Sequence, residues 1–141
     1  MLRNSDIKTS TSELRPSLDP ELGRFADRLK MVIGTMAFKR EWLRRMGFEV
    51  KKLVLVTARG DSMVPTFADG DLLLVDLRQT DIVDGGVHIL RNDGHLLAKR
   101  LQVCMGDQVI VRSDNNIYSA FDTKRDQLNV VGRVVWRGGR M

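Results

Sequence analysis

The sequence predicts a mainly β fold, namely a partly barrel-shaped sheet domain preceded by one or two short helices. Beyond Gly47, short apolar runs alternate with turn residues, and this pattern is typical of strands. Turn signals recur roughly every ten residues, as in small barrels and related all-β architectures. Asn92-Asp93-Gly94 separates two of the runs and is a strong hairpin signal, because these residues tolerate positive φ.

Each predicted strand is an apolar run that ends at a turn. Gly132 interrupts the last run, where a bulge or a close backbone approach is expected. The predicted strands cover residues 52–56, 72–75, 87–91, 95–103, 108–112 and 128–136.

The residues before the sheet fall into two segments. Residues 1–18 are polar and lack periodicity, so they are expected to form a flexible tail. Asp19 and Pro20 are typical of a helix start, and apolar residues at helical spacing continue to Gly34. A tail over 1–18, a helical segment over 19–47 and a sheet domain over 48–141 are therefore predicted.

A second short helix is predicted over 39–46, ending at Gly47. Helical spacing places Trp42, Leu43 and Met46 on its buried side and basic residues on the other.

Charge and composition restrict the class of protein. The chain has 141 residues and a net charge of +5. Residues 1–60 carry 13 basic against 7 acidic side chains, a surplus of +6, which suits either an anionic partner such as nucleic acid or a solvated helix face. The single cysteine, Cys104, excludes an internal disulfide. Without a signal peptide or a long apolar run, a cytoplasmic protein with no membrane span is expected.

Ser62 and Lys99 are the candidate catalytic residues. Ser62 follows an apolar run and lies between Gly60 and Pro65, so a tight turn should present its hydroxyl. Lys99 interrupts an otherwise apolar run, where desolvation disfavours an ammonium group. A serine nucleophile needs an unprotonated base, and a buried lysine can serve as one.

Other polar residues were considered as oxyanion donors, as members of a histidine triad and as metal ligands. Backbone N–H groups of Asp61 and Ser62 are the natural donors to an oxyanion. His88 and His95 raise the alternative of a Ser-His-Asp triad, but their predicted strand and hairpin positions disfavour it. No metal-ligand spacing occurs, and no cofactor or metal is predicted.

Five motifs, taken in order, resemble the LexA-type self-cleaving repressors, and most of all the C-terminal domains of lambda-like prophage repressors. The resemblance covers about residues 38–137. It implies a LexA-like fold, Ser62 as nucleophile, Lys99 as general base and a substrate bond in the protein's own N-terminal linker. It also implies dimerisation, a response to DNA damage and stimulation of cleavage by the activated RecA filament. The motifs are Gly60-Asp61-Ser62-Met63-x-Pro65-Thr66, Asp69-Gly70-Asp71, Leu97-x-Lys99-Arg100-Leu101-Gln102, Ser113-Asp114-Asn115-x-x-Tyr118 and Gly132-Arg133-Val134-Val135-Trp136.

Two features depart from this pattern. The resemblance implies an Ala-Gly or Cys-Gly scissile bond, and neither dipeptide occurs in this chain. Leu22-Gly23 and Ile33-Gly34 are the nearest substitutes, and both lie in the predicted first helix. About 50 residues precede the sheet, and they contain no second and third helix of a helix-turn-helix. DNA contact is therefore expected only through a missing or separate reader domain.

Three functions remain open at this point. The first is a prophage-repressor-type transcriptional regulator fragment with a Ser-Lys self-cleaving and dimerisation domain. The second is a UmuD-like accessory subunit of a translesion polymerase. The third is a signal peptidase, which the lack of a membrane anchor disfavours. A homodimer is predicted, with the 128–136 strand, which is expected to be an apolar sheet edge, or its neighbours at the dimer surface.

Overall fold

The computed structural model describes residues 7–8, 31–33 and 36–140. The mainly β prediction is confirmed, because strands make up most of the regular secondary structure in the described chain and its α-helix is short. The strands are β1 (Ile7–Lys8), β2 (Met31–Ile33), β3 (Met36–Phe38), β4 (Leu53–Ala58), β5 (Leu72–Asp76), β6 (Val87–Asn92), β7 (His95–Val103), β8 (Gln108–Arg112), β9 (Phe121–Lys124) and β10 (Val130–Gly138). The α-helix is α1 (Arg40–Arg45), and single 3-10 turns cover Val50–Lys52 and Arg125–Gln127.

Eight of the described strands form one antiparallel sheet in the order β1-β4-β5-β10-β6-β7-β8-β9, while β2 and β3 form a separate two-stranded sheet. β4 and β5 form one unit, and β6 to β9 form a meander of sequential neighbours. β10 lies between the two units and pairs with both β5 and β6. β1 pairs with β4 and also contacts β7, so the sheet curls towards a barrel without closing.

β4 shows why the central apolar runs are continuous rather than alternating. Leu53 and Leu55 pack towards α1 in a cluster with Leu43, whereas Val54 and Val56 face the opposite core. Both faces of the strand are covered, so apolar residues are needed at successive positions.

The short helix covers one face of the sheet. Leu43 is buried, and Phe38 stacks on Trp42 and meets Trp136 edge-on. These aromatic contacts hold the helix against the end of β10. The predicted second helix is thus confirmed, but Met46 is 51% exposed, so the prediction that it is buried was wrong. Met46 follows the last helical residue, at the C-cap, where the helical spacing no longer applies.

The predicted first helix does not extend through its last residues. Met31–Ile33 is a strand, paired antiparallel with Met36–Phe38. β-branched residues at 32 and 33 favour extended backbone, and Ile33 lies opposite Met36 in the pair. The earlier part of that helix, from Asp19, lies outside the described residues. Within the predicted tail, Ile7–Lys8 pairs with Thr57 and Ala58 of β4.

The bulge predicted at Gly132 is confirmed. The register with β6 shifts between Val130 and Gly132, and a Cβ at Gly132 would lie 2.7 Å from the carbonyl oxygen of Asp76. Glycine is therefore required where β10 passes close to the end of β5.

Two sequence predictions about strands were incomplete. The strand predicted at 128–136 runs over Val130–Gly138 and is internal, so the premise that it is a sheet edge was wrong. β9, which lies at one end of the sheet, was not predicted. Its sequence Phe-Asp-Thr-Lys has a single large apolar residue, too few for a periodic signal.

Candidate active site

Ser62 lies in the serine loop, which we define as residues 59–71 between β4 and β5. Both ends of this loop are held together, because Ala58 N–H donates to Asp71 O and Gly70 N–H donates to Ala58 O, each at 2.8 Å. Asp69 adds a third contact by accepting the N–H of Gly60 at 2.8 Å. The serine loop is therefore a closed turn structure on a rigid strand pair.

The side chain of Met63, the residue after Ser62, anchors this turn in the hydrophobic core. Met63 is 2% exposed and belongs to the core cluster of Val54, Val56 and Phe67. Ser62 itself is 3% exposed, so its hydroxyl lies in a dry environment rather than at the tip of a solvated loop. Desolvation of this kind strengthens any electrostatic interaction that the hydroxyl makes.

Lys99 lies in the middle of β7, opposite His88 of β6. The lysine is only 4% exposed, although such side chains usually extend to water. Its Nζ donates a hydrogen bond of 2.8 Å to the hydroxyl oxygen of Ser113, which is itself buried. The amine is thus held inside the protein by a neutral side chain.

A second loop connects these two residues. We name residues 113–118, which follow β8, the clamp loop. Asn115 N–H donates to Ser62 O at 2.9 Å, and the Asn115 side-chain amide donates to Asp61 O at 3.0 Å. The Tyr118 hydroxyl donates to the Asp61 carboxylate. The loop that contacts Lys99 through Ser113 therefore also holds the backbone on both sides of the Asp61–Ser62 bond.

The clamp loop is fixed by Asp114. Arg100 donates to both carboxylate oxygens of Asp114 at 2.7 Å, and Thr66 of the serine loop donates to one of them. Burial alone would raise the pKa of Asp114, but the hydrogen bonds from Arg100 and Thr66 and the charge of Arg100 hold it below its usual value. Asp114 is consequently a carboxylate at neutral pH, and it ties β7 to the serine loop.

The predicted oxyanion donors lie in the same turn. Asp61 O accepts the N–H of Val64 at 3.2 Å, which shapes the turn without using the N–H groups of Asp61 or Ser62. Within the described part of the chain, neither of those two N–H groups donates to another backbone group. Their assignment as oxyanion donors stays a prediction.

The alternative with a histidine finds no support in the geometry. His88 is fully buried; its Nε2 accepts from Val83 N–H at 3.1 Å and its Nδ1–H donates to Gly86 O at 3.0 Å. Burial, together with the charge of Arg133, lowers the pKa of His88, so the ring is neutral and both nitrogens are occupied. His95 is exposed at the β6–β7 hairpin, opposite Asn92.

The candidate cleavage residues are mostly outside the described chain. Leu22, Gly23 and Gly34 lie among the residues that the structure does not describe, and Ile33 ends β2 rather than lying in a helix. No helix in the part of the chain described here is long and apolar enough to cross a membrane.

Sequence reasoning assigned no role to Ser113 or Asn115, although it quoted both in a motif. The register of β7 and β8 contained the signal for Ser113. Arg100 lies opposite Arg112, so Lys99 and Ser113 come next on the two strands. Because the turn at Gly106-Asp107 lies between two apolar runs, the residues that pair across the two strands can be counted outward from this turn.

Comparisons with known proteins agree with this architecture, and the predicted membership of the LexA-type repressor group is confirmed. A sequence model of the Peptidase S24-like family matches residues 22–135. The match covers most of the chain, which therefore belongs to the Peptidase S24-like family.

The relatives are regulators by name. The chain is 30% identical over 107 residues to the HTH-type transcriptional regulator PrtR of Pseudomonas aeruginosa, covering 72% of this chain and 42% of the relative. It is 26% identical over 103 residues to the repressor protein CI of Enterobacteria phage phi80, covering 72% and 44%. It is 34% identical over 84 residues to LexA repressor 1 of Xanthomonas axonopodis pv. citri, covering 59% and 41%. The chain thus spans less than half the length of these curated relatives.

Proposed function

We propose that this chain is the self-cleaving and dimerisation part of a repressor-type transcriptional regulator, with Ser62 as nucleophile and Lys99 as general base. The observation that carries the proposal is the clamp loop, which contacts Lys99 Nζ at one end and the Ser62 backbone at the other. Two buried polar side chains tied to one loop are expensive to maintain in a core. A catalytic role explains why both side chains occupy the core.

The proposed reaction is acyl transfer. Neutral Lys99 accepts the proton of the Ser62 hydroxyl while the oxygen attacks the carbonyl carbon of a peptide bond. The N–H groups of Asp61 and Ser62 stabilise the negative oxygen that forms. The peptide C–N bond then breaks, the amine leaves with the proton from Lys99, and water hydrolyses the resulting serine ester.

The test is self-cleavage as a function of pH, followed by the masses of the fragments. The rate is expected to rise with pH until the lysine is neutral, and to be slow, because neither Ala-Gly nor Cys-Gly occurs in the chain. Ser62→Ala and Lys99→Ala should each abolish cleavage. Ser119→Ala and Lys51→Ala change exposed residues of the same types and should leave the rate unchanged.

A peptide containing Ala-Gly provides an independent substrate. It should be cut in trans, weakly, because an untethered substrate forgoes the advantage of positioning, which is worth orders of magnitude in rate. Cleavage by Ser62→Ala, or a rate that falls as pH rises, would leave the domain as a binding module.

The proposed partners follow from the family. We infer a cytoplasmic regulator that contacts DNA through a separate reader domain and whose cleavage is stimulated by the activated RecA filament after DNA damage. The names of the relatives favour a repressor over a UmuD-like polymerase subunit. A RecA filament formed on single-stranded DNA should accelerate cleavage, whereas RecA without DNA should not.

We propose that dimerisation uses the outer edge of β9 rather than β10. β9 ends the sheet among the described strands, and Phe121 and Met105 are exposed beside it. An antiparallel pair with Thr123 opposite the partner subunit's Thr123 places Asp122 opposite the partner subunit's Lys124, and the same contact occurs twice by symmetry.

Charge reversal tests this arrangement. Asp122→Lys should weaken the dimer in sedimentation experiments, and adding Lys124→Asp to it should restore the dimer. A wild-type protein that stays monomeric at micromolar concentration, or a double variant no better than the single one, would contradict it.

A further inference from the structure

We propose that Ser113 is a positioning residue for the reaction. Its hydroxyl holds the Lys99 amine by one N–H so that the nitrogen lone pair is directed at the Ser62 hydroxyl. This inference rests on the proposed function of the Ser62–Lys99 pair. It adds a third side chain to that pair.

The contact is long-range and dry. Lys99 Nζ and Ser113 Oγ are 2.8 Å apart, and the two residues are 4% and 7% exposed. Lys99 lies on β7 and Ser113 directly follows β8, each next to the Arg100–Arg112 pair, so the sheet register itself brings them together. Because this contact is buried and its position is fixed by the strand register, it does not carry the entropy cost of ordering a side chain that moves freely in water.

Ser113 is held in place by the contacts of the residues that follow it in the clamp loop. The next residue, Asp114, accepts hydrogen bonds from Nε and Nη2 of Arg100. The backbone N–H of Asp114 donates to Met63 Sδ at 3.5 Å. Asn115 then binds Ser62 O. Displacing Ser113 would therefore require breaking contacts to both β7 and the serine loop.

A hydroxyl suits a lysine that must change its protonation state. It accepts a hydrogen bond from the ammonium form, and it still accepts one N–H from the neutral amine while leaving the lone pair free. A carboxylate in this position would favour the charged form of the lysine, which cannot act as a base. An apolar side chain would leave a buried N–H unsatisfied.

The test compares Ser113→Thr with Ser113→Val, because threonine and valine have nearly the same shape and differ in the hydroxyl. Ser113→Thr should keep the cleavage rate within about threefold, and Ser113→Val should lower the plateau rate by about tenfold or more, since positioning supplies much of the acceleration in a tethered reaction. Thermal unfolding of both variants checks that they fold. Ser113→Ala replaces Ser113→Val if valine prevents folding.

A second readout does not depend on cleavage. The ¹³Cε resonance of Lys99, assigned with Lys99→Arg, is followed through a pH titration in the Ser62→Ala background. Loss of the hydroxyl should move the midpoint to lower pH in Ser113→Val and not in Ser113→Thr, because the buried ammonium loses an acceptor. Identical titrations in the two variants would overturn the role of Ser113.

The two readouts separate the possible failures. If cleavage persists in Ser62→Ala, the proposed reaction is wrong, but the titration still decides whether Ser113 binds the amine. If cleavage requires Ser62 and Lys99 yet is the same in Ser113→Val and Ser113→Thr, the reaction stands and Ser113 does not position the base.

Discussion

Two Asp–Arg contacts in this domain have similar chemistry but join residues at very different separations along the sequence. Asp76 at the end of β5 is fully buried and binds Arg78 and Gln79, two and three residues further along the chain. Asp114 binds Arg100, 14 residues away, and Thr66, 48 residues away. The first contact closes a strand end within one unit of the sheet. In the second, the pair with Arg100 lies within the meander that carries Lys99, and the hydrogen bond from Thr66 joins Asp114 to the unit that carries Ser62.

Burial of an ion pair and its importance for the candidate site are separate properties. Asp76 is the more buried of the two carboxylates, since the side chains of Asp76 and Asp114 are 0% and 11% exposed. We nevertheless expect Asp114 to matter more for cleavage, because it connects elements that must be held relative to each other.

Asp76→Ala should have the largest effect on stability. Its removal leaves the N–H of Arg78 and the amide of Gln79 without their acceptor, and we expect a loss of about 3 kcal/mol in the free energy of unfolding. Urea denaturation measures it. The exposed control Asp126→Ala should change that free energy by less than about 0.5 kcal/mol. Cleavage per folded molecule should be unaltered by either change.

Asp114→Ala should show the opposite balance. We expect a smaller loss of stability, about 1–2 kcal/mol, because its pair with Arg100 is partly solvated. The cleavage rate of the folded protein should fall by about tenfold, since the clamp loop loses its anchor. Rates measured well below the unfolding temperature and corrected for the folded fraction decide the point. Equal losses of cleavage in Asp76→Ala and Asp114→Ala would break the comparison.

Acid should weaken both contacts. For Asp76, burial would raise the pKa, but hydrogen bonds from Arg78 and Gln79 outweigh it and lower the pKa, as the bonds from Arg100 and Thr66 do for Asp114. A carboxyl whose folded-state pKa lies below its unfolded value stabilises the fold above the unfolded pKa, about 3.9, and loses that contribution as pH falls through the folded pKa. Urea unfolding between pH 7 and 2 should therefore show a steep loss below about pH 4.

Asparagine variants separate the acid-sensitive groups. Asp76→Asn and Asp114→Asn should each flatten the loss at low pH. The lowered pKa of His88 acts in a higher window, because the unfolded histidine binds a proton below about pH 6.5 while the buried ring stays neutral. A decline that starts there belongs to His88. An unchanged slope below pH 4 in both asparagine variants would contradict the assignment.

The smallest effect is expected at an exposed pair. Arg45 and Glu41 are four residues apart on α1, 3.5 Å from each other, and their side chains are 71% and 82% exposed. Glu41→Gln should cost about 0.3 kcal/mol, and 0.5 M salt should remove the difference from the wild type. A loss of stability comparable to that of Asp76→Ala would mean that the stabilisation by these contacts does not increase with their burial.

Much of the sheet could be predicted from local sequence. Apolar runs between turn residues located β4 to β8 nearly to the residue, because strands covered on both faces require continuous apolar side chains. The two residues proposed for catalysis were also found locally, from a serine in a turn and a lysine in an apolar run. The burial of Lys99 agrees with that reasoning, whereas Ser62, which the turn was expected to present, is buried as well.

The remainder depended on long-range pairing. β9 is polar and exposed, and its strand conformation comes from pairing with β8. The end of the predicted first helix became β2 because antiparallel pairing with β3 competes with helical spacing. Ser113 was overlooked because its role follows from the register between two strands and from burial, which composition does not report.

The position of β10 has a consequence for how the chain acquires its fold. It is the last of the described strands in the sequence, yet it is the central connection between the β4–β5 unit and the β6–β9 meander. On a ribosome, both units emerge before the strand that joins them, so the full sheet cannot form until synthesis has passed β10. Ser62 and Lys99 lie on opposite sides of that junction, and a growing chain therefore cannot complete its candidate site early.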